Sequence, residues 1–413
     1  MLIPLSQIHQ AADRLQKVIT QTPLQYNQRL SQKFQADIYF KREDQQDVRS
    51  FKIRGAYNKM ASMTKQQQQN GVVCASAGNH AQGVALSCSM LKINGTIFMP
   101  KPTPNQKISK VRAFGGKYVT IELVGNTFDE ASTASQQYCK KHKAGYVHPF
   151  DDPATIAGQA TVAIEILNQL KSVNMVLTTV GGGGLLSGVA SYLKQKSPNT
   201  QIYGVEPQGA AGMYTSLKNG HVTTLEKIDT FVDGAAVARV GDNTFEILQH
   251  YGIPIVKIHE GHACTTMIDL YQNEGIITEP AGILPVSALE ELNHQLKGKT
   301  IVCVLSGGNN DLLRYPEILE RSLIHQGRKH YFMINFAQKP GQLKKLVSKV
   351  LGPTDDIVRF EYIKKTNAEK GPAFIGLELE KKEDLSPLLK RMEKLDIEYE
   401  KINSDQTLYK YLV

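Results

Sequence analysis

Met175-Val176-Leu177-Thr178-Thr179-Val180-Gly181-Gly182-Gly183-Gly184-Leu185 decides how this chain folds. A short apolar, β-branched run meets four glycines, and a helical pattern opens behind them. A strand that is apolar on successive residues is covered on both faces, as in parallel sheets flanked by helices. Four consecutive glycines cost conformational entropy, so they imply positive φ or a close approach of backbone to ligand. At a helix N-terminus their N–H groups face an anion, with the helix dipole assisting. A flexible linker is the bland alternative, and it suits poorly a junction between two packed elements. No G-K-[ST] follows, which excludes a Walker loop, and the spaced dinucleotide fingerprint is absent. A compact phosphate is the ligand that fits.

The same unit recurs outward from this stretch. Val72-Val73-Cys74-Ala75 runs into Ser76-Ala77-Gly78-Asn79-His80 and a helical pattern from Ala81 to Leu91. Gly95 to Met99 leads through Pro100–Pro104 into another helix, and Lys117 to Ile121 follows as a strand. Ile202 to Val205 reads as a strand, and Thr300 to Leu305 ends at Ser306-Gly307-Gly308-Asn309. Upstream, residues 5–20 carry Ile8, Ala11, Ala12, Leu15, Val18 and Ile19 at helical spacing. Gln21-Thr22-Pro23 stops that helix, and Ala36 to Lys41 is a short strand. Strands alternating with helices predict a doubly wound α/β fold, with ligands outside the carboxyl ends of the strands. Three glycine-rich turns fall at such ends, which places the site there.

The pattern changes after Pro316. His330 to Ala337, Ile357 to Ile363, Ala373 to Leu379 and Tyr399 to Ile402 are strand candidates. Between them lie a helix from Pro340 to Leu351 and a second carrying Leu385, Leu388, Leu389, Met392 and Leu395. This β-α-β-β-α-β order is a ferredoxin-like α+β sandwich over 330–413, joined by a basic linker at 323–329.

The length of 413 residues accommodates two or three domains, and 41% apolar with 21% charged residues is ordinary for a globular chain. A formal charge of +9 raises the question of nucleic acid. The basic residues are scattered, however, without a basic run, zinc-finger, basic-zipper or RNP pattern, so no nucleic-acid partner is expected. Five cysteines never stand in C-x-x-C spacing, against both a disulfide framework and a zinc site. The first ten residues lack a signal-peptide core and no long apolar stretch suggests a membrane span, so a cytoplasmic location is expected.

Chemistry enters with Ser50-Phe51-Lys52-Ile53-Arg54-Gly55-Ala56-Tyr57-Asn58. Lys52 has apolar neighbours on both sides. Desolvation disfavours an ammonium, lowers its pKa and frees the amine to attack a carbonyl. Alone, the pattern also fits an ordinary structural lysine. Ser76 to His80 is a second anion cup at a helix start, with Ser, Asn and His side chains as donors, or else a plainly capped helix. An aldehyde-trapping lysine, a phosphate cup and a second anion cup together suit pyridoxal phosphate with an amino-acid carboxylate beside it.

These motifs, with Glu279-Pro280-Ala281-Gly282, resemble those of the threonine dehydratases (threonine ammonia-lyases), fold-type II pyridoxal-phosphate enzymes. The resemblance covers essentially the whole chain. It implies a catalytic domain over 1–322 built of two doubly wound α/β subdomains, the smaller inserted at about 41–140. It implies that Lys52 carries pyridoxal 5'-phosphate covalently and moves the Cα proton, with Phe51 flanking the ring. Asn79 would bond the 3-hydroxyl, Gly181, Gly182, Gly183, Gly184 and Leu185 would cradle the phosphate, and Glu279 would lie near the cofactor edge. Ser306 would face the pyridine nitrogen, leaving the ring largely unprotonated and favouring prompt loss of a β-substituent. The segment Ser76-Ala77-Gly78-Asn79-His80 would take the substrate carboxylate through Ser76, Asn79 and His80. The implied reaction turns L-threonine into 2-oxobutanoate and ammonia, the first step from threonine toward isoleucine, with L-serine as a second substrate.

Two departures separate the chain from the serine racemases of this fold. Ala77 stands where they carry a second-face acid/base serine, and Gly212 stands where a metal-binding aspartate follows Glu206-Pro207. No metal site is therefore expected. The C-terminal domain, with Lys339-Pro340-Gly341-Gln342-Leu343 at its first turn, resembles an ACT-like regulatory domain. That likeness implies isoleucine as inhibitor, valine as its antagonist and a homotetramer, or a domain kept for assembly alone. The alternatives are a serine dehydratase or racemase of the same fold, and a non-catalytic amino-acid sensor. Intact Lys52, Asn79 and Ser306 speak against the sensor.

Overall fold

The structure, a computed structural model, describes residues 2–362 and 369–402. The chain divides into two compact units, Met1–Asn310 and Asp311–Val413.

In the first unit the strands are β1 (Leu24–Tyr26), β2 (Asp37–Arg42), β3 (Val72–Ala75), β4 (Gly95–Met99), β5 (Val119–Leu123), β6 (Gly145–Tyr146), β7 (Met175–Thr179), β8 (Gln201–Pro207), β9 (Ile255–Ile258) and β10 (Thr300–Leu305). They form two sheets, β1-β2-β10-β7-β8-β9 and β5-β4-β3-β6. Every pairing is parallel except that of β1 with β2 at one edge. Every residue of β3 and β7 is buried, as two-sided helix cover requires. The larger core joins Val176, Val302 and Ile202 to helix residues such as Ile156, Leu186 and Val189. The smaller joins Cys74 and Ile97 to Val84 and Val111.

Several boundaries differ from expectation. The first helix ends at Leu15, not near residue 20, because Val18 and Ile19 both bond back to the Leu15 carbonyl in a tightened turn. β2 pairs with β10, so the chain near residue 41 belongs to the larger sheet, and the smaller sheet extends to Tyr146. The strand expected at Lys117 begins at Val119, after a single 3₁₀ turn. The helix expected from Ala81 begins at Asn79.

The helix Lys52–Ala61 packs closely against the helices Pro153–Gln169 and Asn79–Leu91. A Cβ on Gly158 would meet the Arg54 carbonyl at 2.5 Å, and one on Gly83 would meet the Lys52 carbonyl at 3.1 Å. On Gly188 it would meet the Ile156 carbonyl at 2.6 Å, extending the contact to the helix Gly184–Lys196. Beneath the Lys52 helix sits a buried ion cluster. Arg54 donates to both oxygens of Glu43 (2.7 Å each) and to Glu165 (2.7 Å), while Lys41 reaches Glu165 at 2.5 Å.

The second unit contains β11 (Lys329–Ala337), β12 (Asp356–Tyr362), β13 (Lys370–Glu378) and β14 (Glu398–Lys401). They form an antiparallel sheet, β12-β13-β11-β14, the ferredoxin-like order. The helices Gln342–Lys349 and Leu385–Lys394 place Leu346, Leu388 and Met392 in a core with Phe332, Ile334 and Ile375. Ile363, expected in the second strand, lies outside the described residues. The linker is shorter than the expected 323–329: the helix Tyr315–His325 runs into it and β11 starts at Lys329, leaving a turn that Gly327 closes with φ +68°.

Cys74, Cys88, Cys264 and Cys303 are buried thiols and Cys139 is half-buried; none of the five is in a disulfide. Among the described residues no helix is long and apolar enough to cross a membrane.

Candidate active site

The turn after β10 anchors the site. Its Ser306 carbonyl accepts from Phe51 N–H (3.1 Å), Gly307 bridges Ser50, and Gly308 N–H donates to the Arg49 carbonyl (2.9 Å). Glu279 N–H donates to the Gly307 carbonyl (3.1 Å), which brings the start of the helix Pro280–Glu291 to the same place. Ser306 itself is 2% exposed.

These tethers fix the first residue of the helix Lys52–Ala61. Lys52 Nζ donates to the Pro149 carbonyl (2.9 Å) and stands 5.2 Å from the Phe51 ring centroid. Burial lowers its pKa to about 8, opposed by the Glu279 carboxylate. An enclosed amine with a carbonyl as its partner is readily made a neutral nucleophile and base.

After β7, Gly181 to Leu185 enter the helix Gly184–Lys196 with Gly183 at φ +96°. Thr244 Oγ1 donates to the Gly182 carbonyl (2.6 Å), turning that carbonyl away. Among the described residues no acceptor takes the N–H groups of Gly181 to Leu185, although all but Gly181 are buried. A row of buried, unpaired donors is costly unless an anion fills it. The donor set therefore fits the phosphate of pyridoxal phosphate. The glycines are required by packing too, since a Cβ on Gly182 would lie 2.3 Å from the Phe150 ring.

The turn after β3 is built differently. Ser76 Oγ accepts from Gly78 N–H (3.2 Å), while the N–H groups of Asn79 and His80 open the helix Asn79–Leu91. The His80 side chain does not serve as the carboxylate donor expected of it. It is buried and bonds the Val147 carbonyl (2.8 Å) through Nε2, leaving Nδ1 without a partner. Burial, and then the Lys52 charge, lower its pKa to about 3, so the ring is neutral. His80 can offer a carboxylate only its backbone N–H.

Asn79 Nδ2 donates to Glu279 Oε1 (2.7 Å), and its Oδ1 accepts from Asn309 Nδ2 (2.8 Å). Glu279 is buried, and desolvation followed by the Asp233 charge raises its pKa to about 7. Glu206 stands apart from this group: both its oxygens accept the N–H groups that open the helix Gly212–Asn219 (Met213 and Tyr214, 2.8 Å each).

Sequence reasoning passed over Val147-His148-Pro149-Phe150-Asp151-Asp152. Within this loop Val147 holds His80, Pro149 holds Lys52 and Phe150 covers the glycine run. Asp151 accepts from the N–H groups of Asp242, Asn243 and Thr244 (2.9–3.2 Å), and Asp152 caps the helix Pro153–Gln169. The only signal was Asp152-Pro153, an N-cap followed by proline at the first helical position.

Comparison with known proteins agrees with this geometry. Residues 15–307 match the family described as pyridoxal-phosphate dependent enzyme, and residues 320–412 match the C-terminal regulatory domain of threonine dehydratase. The chain is 50% identical over 413 residues to the biosynthetic L-threonine dehydratase IlvA of Bacillus subtilis (strain 168), covering 100% of this chain and 98% of that protein. Among solved structures, the processed form of threonine deaminase isoform 2 from Solanum lycopersicum superposes with TM-score 0.73 and 40% identity, over 77% of this chain and 94% of that one. Serine racemase from Dictyostelium discoideum gives TM-score 0.70 and 30% identity, over 75% and 99%.

Proposed function

The chain belongs to the pyridoxal-phosphate-dependent enzymes, among the biosynthetic L-threonine dehydratases, and we propose on that premise that Lys52 carries out its chemistry. The reaction takes L-threonine to 2-oxobutanoate and ammonia on the way to isoleucine. Bound pyridoxal phosphate supplies an electron-withdrawing ring that acidifies the substrate Cα–H. The chain's own residues do the rest.

Lys52 Nζ, with a pKa lowered to about 8, accepts the Cα proton near neutral pH, and the Pro149 carbonyl keeps the amine aimed. The N–H groups of Gly181, Gly182, Gly183, Gly184 and Leu185 hold the phosphate. Asn79 offers Nδ2–H to the ring oxygen, Phe51 flanks the ring, Ser306 offers a neutral hydroxyl to the pyridine nitrogen, and Glu279 stands at the ring edge behind Asn79. The substrate carboxylate takes the Ser76 hydroxyl and the N–H groups of the Ala77–His80 turn. Overall the Cα proton and the β-hydroxyl leave together as water, giving an enamine that water hydrolyses to the keto acid and ammonia. The alanine at position 77 offers no second-face proton, which favours elimination over racemisation. Glu206 is already engaged as a helix cap, which supports the reading that the racemases' cation site is not built here.

The enclosed amine beside a buried row of unpaired N–H groups carries this reading. The test is keto-acid release from L-threonine, L-serine and D-serine by the cofactor-loaded chain and by Lys52→Ala. Release from L-threonine that vanishes in the variant is expected; equal release by both proteins would defeat it.

Regulation belongs to the same proposal. In the second unit a cavity of about 280 Å³ is lined by Phe336, Gln338, Lys339, Gly341, Leu343 and Tyr362. Both amide atoms of Gln338 are buried without a partner among the described residues, which suits a polar ligand at this cavity. Isoleucine binding there as inhibitor, with valine opposing it, fits the size and the donor set. Gln338→Ala should weaken isoleucine inhibition and leave uninhibited turnover unchanged. A homotetramer in the cytoplasm completes the reading, and light scattering decides the first part.

A further inference from the structure

Asn79 is the side chain whose sense matters most to the ring, because an amide can offer either a donor or an acceptor. Four groups around it decide which. The Val48 backbone carbonyl can only accept, so the Asn309 atom 2.7 Å from it is Nδ2. That same nitrogen lies 2.8 Å from Asn79, and the Asn79 atom facing it is therefore Oδ1. The Lys110 ammonium can only donate, and it meets the other end of the Asn309 amide, Oδ1, at 3.3 Å. On the far side, Asn79 Nδ2 donates to Glu279 Oε1 at 2.7 Å, while Glu279 Oε2 accepts the Asn309 backbone N–H at 3.3 Å. Turning the Asn79 amide over would set its nitrogen against the Asn309 nitrogen and, wherever Glu279 is ionised, its oxygen against a carboxylate.

We propose that Asn309 and Glu279 are positioning residues that lock the Asn79 amide so that its remaining N–H, never its oxygen, is offered to the cofactor's ring oxygen. This rests on the reading that Asn79 faces that oxygen. A fixed donor stabilises the anionic form of the ring oxygen over its protonated form. It does so at no orientational cost when the cofactor enters, because the amide is already held. The lock is buried where it begins, at Val48 and Glu279, both under a tenth exposed. Its members come from the ends of β3 and β10, the start of the helix Pro280–Glu291, and the chain ahead of Lys52. Small packing tolerances guard it: a Cβ on Gly307 would meet Glu279 Oε1 at 2.4 Å.

The test uses the holoenzyme and two readouts other than turnover. One is the ratio of the bound cofactor's long- and short-wavelength absorption bands, which reports protonation of the ring oxygen. The other is the dissociation constant of pyridoxal phosphate. Asn79→Ala sets the scale, with the ratio changed about tenfold, the worth of one hydrogen bond to a charged group. Asn309→Asp puts an acceptor against both Val48 and Asn79, so it should turn the Asn79 amide and change the ratio as much as Asn79→Ala, with cofactor held about tenfold more weakly. Glu279→Gln can present its own carbonyl to Asn79 and should keep the parent ratio, whereas Glu279→Leu should lose it. If Asn79→Ala shifts the bands and Asn309→Asp does not, the lock is overturned while the role of Asn79 stands. If Asn79→Ala itself changes nothing, that role fails and the lock with it. Should Asn309→Asp not fold, Asn309→Ala carries the same comparison with a smaller expected change.

Discussion

Lys52 and Arg54 stand two residues apart at the start of one helix, both cations are enclosed, and their surroundings differ in kind. Arg54 spreads its donors over Glu43, Glu165 and Thr161. Burial works to lower its pKa, but the two carboxylates outweigh burial and raise it. Lys52 has the Pro149 carbonyl as its hydrogen-bond partner, and its pKa falls to about 8. Arg54 is fully buried and Lys52 partly so, yet the less buried cation is the one whose pKa falls. The partner decides whether a buried cation is a structural rivet, as Arg54 is, or is left with the lowered pKa that suits the role proposed for Lys52.

The most severe way to break this contrast is to make the reagent a rivet. Lys52→Arg should cut keto-acid release by about 10⁴-fold or more, because a guanidinium neither traps an aldehyde nor accepts a proton near neutrality. Circular dichroism should show the fold retained. The reverse substitution acts on stability. Arg54→Met leaves buried Glu43 without its paired cation and Glu165 with Lys41 alone, and should cost about 3–5 kcal/mol in chemical denaturation. A loss within about 0.5 kcal/mol, the range of a surface change, would mean that the cluster holds nothing. Next comes the phosphate side of the site. Gly182→Ala forces a methyl into Phe150 and should weaken cofactor binding about 10- to 100-fold, in line with about 1–3 kcal/mol of overpacking.

The gentlest probe is pH. A lysine pKa lowered from 10.5 to about 8 means that the unfolded chain holds a proton the folded chain has lost between those values. The apoprotein should therefore gain stability from this group as pH rises from about 8 toward 10.5, and gain nothing from it below that window. Over the same range near 8, uptake of cofactor by the apoprotein should accelerate. Acceleration centred instead near 10.5 would show Lys52 to be an ordinary solvated lysine.

The contrast also marks what could be read from the chain. The glycine run, the turns at 76–80 and 306–309 and the flanks of Lys52 are local patterns, and each is found at a strand's carboxyl end or a helix start. Partners are not local. Pro149 lies 97 residues from Lys52, and Val147 lies 67 residues from His80, so no window of sequence shows that both partners are backbone carbonyls of one loop. Arg54 sat inside the quoted motif without a role because Glu43 and Glu165 become its neighbours only in the fold. β1 and β9 escaped notice for another reason: they are short edge strands, half-exposed, and carry no alternation to detect.

The glycine contacts around the Lys52 helix have a practical consequence for redesign. Gly83 brings the helix Asn79–Leu91 against the Lys52 helix main chain to main chain, and Gly158 and Gly188 link the Lys52 helix, through the helix Pro153–Gln169, to the helix behind the proposed phosphate cradle. The span from the Lys52 amine to the proposed phosphate cradle is thereby set largely by these close backbone approaches. Pocket side chains can be recut for a bulkier amino acid without altering that span, while a single methyl at any of those three glycines would reset it.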